Sequence, residues 1–347
     1  MFAAWLEKLT RREDLTEAEA SAAMTEVMTG RATPAQTSAL LVALAMKGER
    51  PEEVVGLART MRAQAVRVPG VWHDLFDTCG TGGDGSGTFN ISSAAALIVA
   101  ACGVRVAKHG NRSMSSRSGS ADVFEALGVR VAASPDVVAA CLHEAGIGFC
   151  FAQTFHPSMK HAAAARREMG IRTAFNLLGP LTNPAGARRQ LVGVPRPELT
   201  ELVARALLLL GAERAWVVHG ADGLDEISTT GYTKVSECQG GTVRTFYVHP
   251  ADFGLGKVPV AALMGGAATE NAAIVRDVLA GASGPARDIV VLNAGASLLI
   301  AGAVTSIVGG MARAAAAIDS GAASATLARM AEISQRPDTE GAAEVRG

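Results

Sequence analysis

Apolar positions in the first 65 residues recur at helical spacing and are punctuated by strong caps. Thr16-Glu17-Ala18-Glu19 has the form of a capping box, and Gly30 stands where a C-terminal cap follows. Thr33-Pro34-Ala35-Gln36 repeats the signal with proline at the first helical position, and that helix can run to Gly48. Pro51 opens a third, in which Val54, Leu57, Ala58, Met61 and Ala65 fall on one face. This spacing predicts a small all-helical unit.

After Val68-Pro69-Gly70 the texture changes. Short β-rich segments, Leu75–Asp77, Val104–Ala107, Gly148–Ala152 and Ala215–His219, alternate with glycine turns and amphipathic helical stretches, which predicts an α/β sheet domain. Leu199–Leu210 reads as a helix, and Lys234–Cys238 with Thr242–Val248 as a hairpin around Gln239-Gly240-Gly241. Ile289–Ala312 carries no charge over 24 residues, long enough to span a bilayer. Its Asn293, Ser297, Thr305, Ser306 and four glycines, without an aromatic belt or clustered flanking cations, instead predict two buried helices joined by a turn. Gly341–Gly347 reads as a frayed tail.

Composition narrows the class. With 49% hydrophobic residues in 347 the chain can bury a large core, and disorder is excluded. The 32 Lys+Arg and 33 Asp+Glu leave a formal charge of −1. No global field gathers nucleic acid or an anionic membrane, so an anionic ligand must be held by a local cluster of donors. Five cysteines, odd in number and without a CxxC pair, argue against a disulfide framework or structural zinc. With no signal-peptide pattern at Phe2–Leu9, the expected location is cytoplasmic. Glycine is in surplus, 38 residues or about 11% against an average of about 7%.

That surplus concentrates where chemistry is expected. Between Asp77 and Ser93 five glycines stand at 80, 82, 83, 85 and 87, after a predicted strand and before a helix opening near Asn90. Glycine lets successive N–H groups approach an anion, and a helix N-terminus adds unsatisfied donors. Neither GxxxxGK[ST] nor a clean GxGxxG with its acidic partner is present, so ATPase and dinucleotide readings lose support. Lys108 to Ser120 follows the next strand with cations and hydroxyls. Ligands in open α/β sheets collect outside the carboxyl ends of strands, so both loops can face one polyanion. Asp222, Asp225 and Glu226 follow a third strand and offer hard oxygens for Mg²⁺. His156 to Pro184 carries Arg166 and Arg167, whose guanidinium groups can pair a substrate carboxylate.

Together these segments closely resemble the anthranilate phosphoribosyltransferase family. GTGGD, KHGNRxxSSRSGSAD, HPSMKHAAxxRRExGIRTxFNLLGPLTNP and DGLDEIS stand in the family's order, with ATPAQ and KGERPEEV before them and ENAAIVRDVLAGxxGPARDIVVLNA after. The resemblance implies an N-terminal helical domain, residues 1–68 joined by helices from about 160–185. It also implies a larger α/β domain, 72–340, whose mostly parallel sheet is flanked by helices, as in nucleoside phosphorylases. The implied reaction moves a 5-phosphoribosyl group from phosphoribosyl pyrophosphate to the amine of anthranilate in tryptophan biosynthesis, releasing pyrophosphate, with Mg²⁺ as cofactor and a homodimer as the assembly.

By the same resemblance, Gly80, Gly83, Asp84, Thr88, Asn90, Ile91, Ser92 and Ser93 hold the sugar pyrophosphate together with Lys108, His109, Gly110, Asn111, Arg112, Ser113, Met114, Ser115, Ser116 and Ser120. Gly80, Asn111 and Arg166 contact anthranilate, Ser92, Asp225 and Glu226 bind Mg²⁺, and Lys108, Asn111 and Arg166 are the residues expected to serve catalysis directly. His109 and His156 are expected to pack or hydrogen-bond rather than transfer protons. Three departures from the family pattern are Ser93 for the usual threonine, Tyr232 for proline and Gly309 for glutamate. A pyrimidine nucleoside phosphorylase and a non-catalytic nucleic-acid-binding relative of the same fold are the alternatives.

Overall fold

A computed structural model describes residues 2–113 and 117–338. Met114, Ser115 and Ser116, and the predicted tail Gly341–Gly347, lie outside the described residues. The chain opens with α1 (Phe2–Thr10), α2 (Glu17–Met28), α3 (Pro34–Lys47) and α4 (Pro51–Ala63). Both predicted capping boxes form: Thr16 and Thr33 accept from the N–H three residues on, and Glu19 and Gln36 reach back to the cap. The predicted face of α4 is buried except for Ala65, which lies beyond the helix end and is only half covered.

The second part alternates as expected, around a seven-stranded sheet. Its strands are β1 (Phe76–Gly80), β2 (Val106–Gly110), β3 (Ile147–Phe151), β4 (Arg189–Gly193), β5 (Arg214–Gly220), β6 (Thr233–Gln239) and β7 (Thr242–Val248), in spatial order β3-β2-β1-β4-β5-β6-β7. The first five run parallel, and β6 and β7 add an antiparallel hairpin turning at Gly240-Gly241. From β1 the chain builds outward through β2 and β3, then returns to the other side of β1 with β4. The order reverses between β1 and β4, a switch point where the crossover connections part and leave a crevice at the carboxyl ends.

The strand bounds differ from expectation at several ends. β1 and β2 run on to Gly80 and Gly110, past the charged Asp77 and Lys108, because both side chains are buried and hydrogen-bonded within the sheet. β3 starts one residue before its prediction, and β4 was not foreseen.

Period-two alternation sends the strands' side chains to two different cores. Leu191, Trp216 and Val218 join α5 (Ile91–Ala101) and α13 (Pro285–Ile300) on one face. Val192, Ala215 and Val217 join α11 (Leu199–Leu209) and the helical bundle on the other. The bundle also receives α9 (Lys160–Met169), which packs on α2 and α3, and α10 (Phe175–Leu181), which packs on α4. The charge-free run resolves into α13, a turn, and α14 (Ile307–Asp319). Among the described residues no helix is long and apolar enough to cross a membrane. All five cysteines are buried and unpaired.

Candidate active site

The loops following β1, β2 and β5 meet at the switch point. After β1 the chain enters Thr81 to Thr88, where Gly82, Gly83, Gly85 and Gly87 take φ between +66° and +74°. Among the described residues the amides of Gly83, Asp84, Gly85 and Gly87 have no protein partner. Asp84 accepts from Ser86, closing the loop's own turn. The helix that follows behaves differently from expectation: the first four N–H groups of α5 are spent. Ile91 donates to Phe89, Ser93 and Ala94 to Asn90, and Ser92 to Glu226 Oε1 at 3.1 Å. Free donors therefore come from the glycine loop and not from the helix end.

Asp225 holds that loop from below. Its Oδ2 accepts from Gly82 N–H at 3.1 Å, and a Cβ on Gly80 would overlap the same oxygen, so glycine at 80 is a steric requirement. Glu226 follows on the same loop, and Ile227 is pinned by Asn293, whose amide exchanges both hydrogen bonds with its backbone. Thus the asparagine inside the charge-free run fixes the acidic pair. Burial first, then negative neighbours, push Asp225 up to about 7 and Glu226 up to about 8. Lys108, 1% exposed, donates to Thr78 O at 2.6 Å and Ser92 Oγ at 3.3 Å. Burial lowers its proton affinity while Asp77, Glu226 and Asp225 oppose that.

Two carboxylates short of cationic partners fit Mg²⁺, which takes one or two protein carboxylates and completes its shell with phosphate oxygens and water. Among the described residues no group of three acidic, histidine or cysteine side chains could hold a metal unaided. Thr81 Oγ1, Ser93 Oγ and His109 Nε2 are buried here without a hydrogen-bond partner among the described residues.

The remaining predicted residues divide. Thr88 pairs with Met264, and Asn90 accepts from Asn271, which also takes the Gly266 N–H. Ile91 and Ser93 point into the core, 1% and 0% exposed. His109 Nδ1 lies 2.9 Å from Gly179 O, and its ring packs on His156 with centroids 5.1 Å apart. Burial lowers the basicity of both. Asn111 accepts from Arg112 N–H and, with Gly110 and Ser120, forms the start and end of the second loop. Arg112 is engaged with Asp122 and Glu125, and the Ser113 N–H with Asp122. Arg166 is half-buried 5.5 Å over Phe175, with no carboxylate partner among the described residues.

Two residues at the site escaped the sequence reading. Asn271 supports Asn90, and Arg172 rests on the glycine loop, donating to Thr81 O at 3.3 Å. Both stand in quoted motifs, but only the fold shows that they reach this loop.

Comparison with known proteins supplies the family. Residues 3–65 match the helical bundle domain of a glycosyl transferase family, and residues 73–324 its a/b domain. The anthranilate phosphoribosyltransferase of Moorella thermoacetica is 56% identical over 95% of this chain and 97% of its own length. That of Symbiobacterium thermophilum is 53% identical over 98% and 99%. The crystal structure of the enzyme from Thermus thermophilus superposes with a TM-score of 0.90 at 45% identity, covering 96% of this chain and 99% of that one. The Saccharomyces cerevisiae enzyme in complex with PRPP and Mg gives 0.87 at 26%, covering 96% and 97%. Matched over nearly its whole length and in both domains, this chain belongs to the anthranilate phosphoribosyltransferase family.

Proposed function

We propose that this chain transfers the 5-phosphoribosyl group of phosphoribosyl pyrophosphate to anthranilate, giving N-(5-phosphoribosyl)anthranilate and pyrophosphate, with Mg²⁺ as cofactor. The observation that carries the reading is the meeting of unpartnered loop amides, Lys108 and the Asp225–Glu226 pair at one switch point. That is a site for a metal-bound polyphosphate. The relative from Saccharomyces cerevisiae is described with PRPP and Mg, and in another structure with 4-fluoroanthranilate.

Breaking the bond from ribose C1 to pyrophosphate develops positive charge on the sugar and negative charge on the leaving group. The protein's task is positioning and electrostatic stabilisation. The amides of Gly83, Asp84, Gly85 and Gly87 take pyrophosphate oxygens, and Lys108 adds a fixed cation from within the sheet. Ser92, Asp225 and Glu226 hold Mg²⁺, which when bound neutralises leaving-group charge. Arg166 offers an unpaired guanidinium to the anthranilate carboxylate, while Asn111 and Gly80 line the aromatic acid's side. The anthranilate amine is nucleophilic when neutral, so no covalent intermediate is needed, and the weakly basic His109 and His156 suit packing.

The same reading makes residues 1–68 with α9 and α10 one domain and 72–340 the other, in a cytoplasmic homodimer joined through the helical domain. There Met46 is 74% exposed. Sedimentation tests the dimer. Neither alternative is favoured: the relatives named carry the anthranilate enzyme's name, and the acidic pair is intact. The deciding assay is Mg²⁺-dependent and phosphoribosyl pyrophosphate-dependent loss of anthranilate fluorescence; folded protein without that turnover rejects the proposal.

A further inference from the structure

Arg172 follows Gly170, whose left-handed φ of +62° ends α9, and its side chain returns to the glycine loop. A Cβ on Gly83 would fall on Nη1 and lie 2.7 Å from Cζ. The guanidinium therefore occupies the space any side chain at 83 would need. Nη2 donates to Thr81 O at 3.3 Å. Asp225 and Asp84 attract it, and Arg196 repels it. Asp225 also grips the neighbouring Gly82 N–H. The Thr81–Gly83 stretch is thus held by a carboxylate from the loop after β5 and by a guanidinium from the connection between α9 and α10.

We infer that Arg172 is a positioning residue for the phosphoribosyl donor: it fixes the glycine loop in the form whose free amides meet pyrophosphate. The inference rests on the phosphoribosyl-transfer reading and deepens it. The last turn of α9 and the connection after it then serve both substrates, Arg166 toward the aromatic carboxylate and Arg172 through the loop toward the pyrophosphate. A forked guanidinium can set Nη1 against Gly83 while Nη2 reaches Thr81 O. A lysine ammonium is a point charge on a flexible stem and cannot do both.

The test is steady-state kinetics of wild type, Arg172→Ala, Arg172→Lys and Gly83→Ala, with melting temperatures to verify folding. A lost charged hydrogen bond predicts a KM for phosphoribosyl pyrophosphate raised about 10- to 50-fold in Arg172→Ala. The KM for anthranilate stays within about twofold, and Arg172→Lys recovers little of the loss. Gly83→Ala attacks the same contact from the other side, so the double variant should be little worse than the poorer single one. Calorimetry with Mg²⁺ and inorganic pyrophosphate, without turnover, should show the same weakening. An unchanged donor KM and pyrophosphate affinity in folded Arg172→Ala overturns the inference. So does an equal rise in both KM values with full rescue by lysine. Wild type that binds pyrophosphate without turnover defeats the functional reading alone, and the calorimetric comparison still decides the role of Arg172.

Discussion

Glu237 and Glu226 are both glutamates inside the same sheet domain, yet their surroundings treat the charge in opposite ways. Glu237, on β6 and 1% exposed, accepts from Trp216 Nε1 at 2.8 Å, Arg214 Nε at 2.9 Å and Arg244 Nε at 2.6 Å. Burial raises its pKa, but these donors outweigh burial and hold it below the usual carboxylate value. Glu226, 9% exposed, has one protein hydrogen bond among the described residues, from Ser92 N–H, and an acidic neighbour, and rises to about 8. The helical bundle follows the first pattern: fully buried Glu53 takes Lys47 Nζ at 3.0 Å and the N–H groups of Leu15 and Arg50. Structural charges are saturated by protein donors. At the carboxyl ends of the strands the acids are left short, which is a cost in the free chain and a capacity for a cation.

The sharpest way to break that contrast is to neutralise the unsaturated pair. Asp225→Asn with Glu226→Gln should lower Mg²⁺-dependent turnover by about 10³-fold. Without metal, the same variant should melt no lower than wild type at pH 8. The sign follows from pKa values raised from 3.8 and 4.5 to about 7 and about 8. The folded chain holds protons that the unfolded chain has lost, so this contribution to stability is full below the unfolded values and is lost as pH rises through the folded ones. The variant should lack that falling limb. Unaltered metal dependence rejects the metal role.

Glu237→Ala inverts the experiment. Leaving Arg214 and Trp216 without their acceptor should cost about 3 kcal/mol of stability, measured by denaturant unfolding. The kcat/KM of the folded fraction should stay within about twofold, since Glu237 lies in the antiparallel part of the sheet. Lost activity at unchanged stability would contradict this division between saturated and unsaturated carboxylates. Arg166→Ala should raise the KM for anthranilate by about 10- to 50-fold and spare that for phosphoribosyl pyrophosphate, since a charged hydrogen-bond donor is removed. An unchanged anthranilate KM takes Arg166 out of the aromatic acid site.

How far the sequence discloses this division depends on whether a signal is local. Capping boxes, the prolines opening α3 and α4, the hairpin glycines and the turn inside the charge-free run are local chemistry, and all appear where expected. β4 lacks a strand signal because, in Arg189-Gln190-Leu191-Val192-Gly193, the buried Gln190 breaks the apolar pattern while donating to Pro180 O. The strands' full lengths were hidden by Asp77 and Lys108, charges that read as strand ends until their partners are seen. The glycine loop was legible from its residues, but the source of its donors was not: the amides of α5 are consumed by Phe89, Asn90 and Glu226. Arg172 reaches Thr81 across 91 residues of sequence, and no spacing rule carries that far.

The smallest expected effect concerns His156, a polar group held neutral by the core instead of being saturated or kept for a ligand. It is 2% exposed beside His109, and burial, then repulsion from His109, lower its pKa to about 3, with the Thr182 backbone opposing. As pH falls below 6.5 the unfolded chain gains a proton that the folded chain refuses. Stability from this group is therefore complete above about pH 6.5 and is lost progressively toward pH 3, by up to about 1.4 kcal/mol per pH unit. The acidic pair slopes the other way over part of this range, so the informative quantity is the difference between wild type and His156→Gln. That difference should change by about 1 kcal/mol between about pH 6.5 and about pH 5.5, the variant being less acid-sensitive. If His156 instead moves protons in the reaction, the signature is different: turnover at pH 8 collapses in the variant while the acid limb of the stability curve stays where it was.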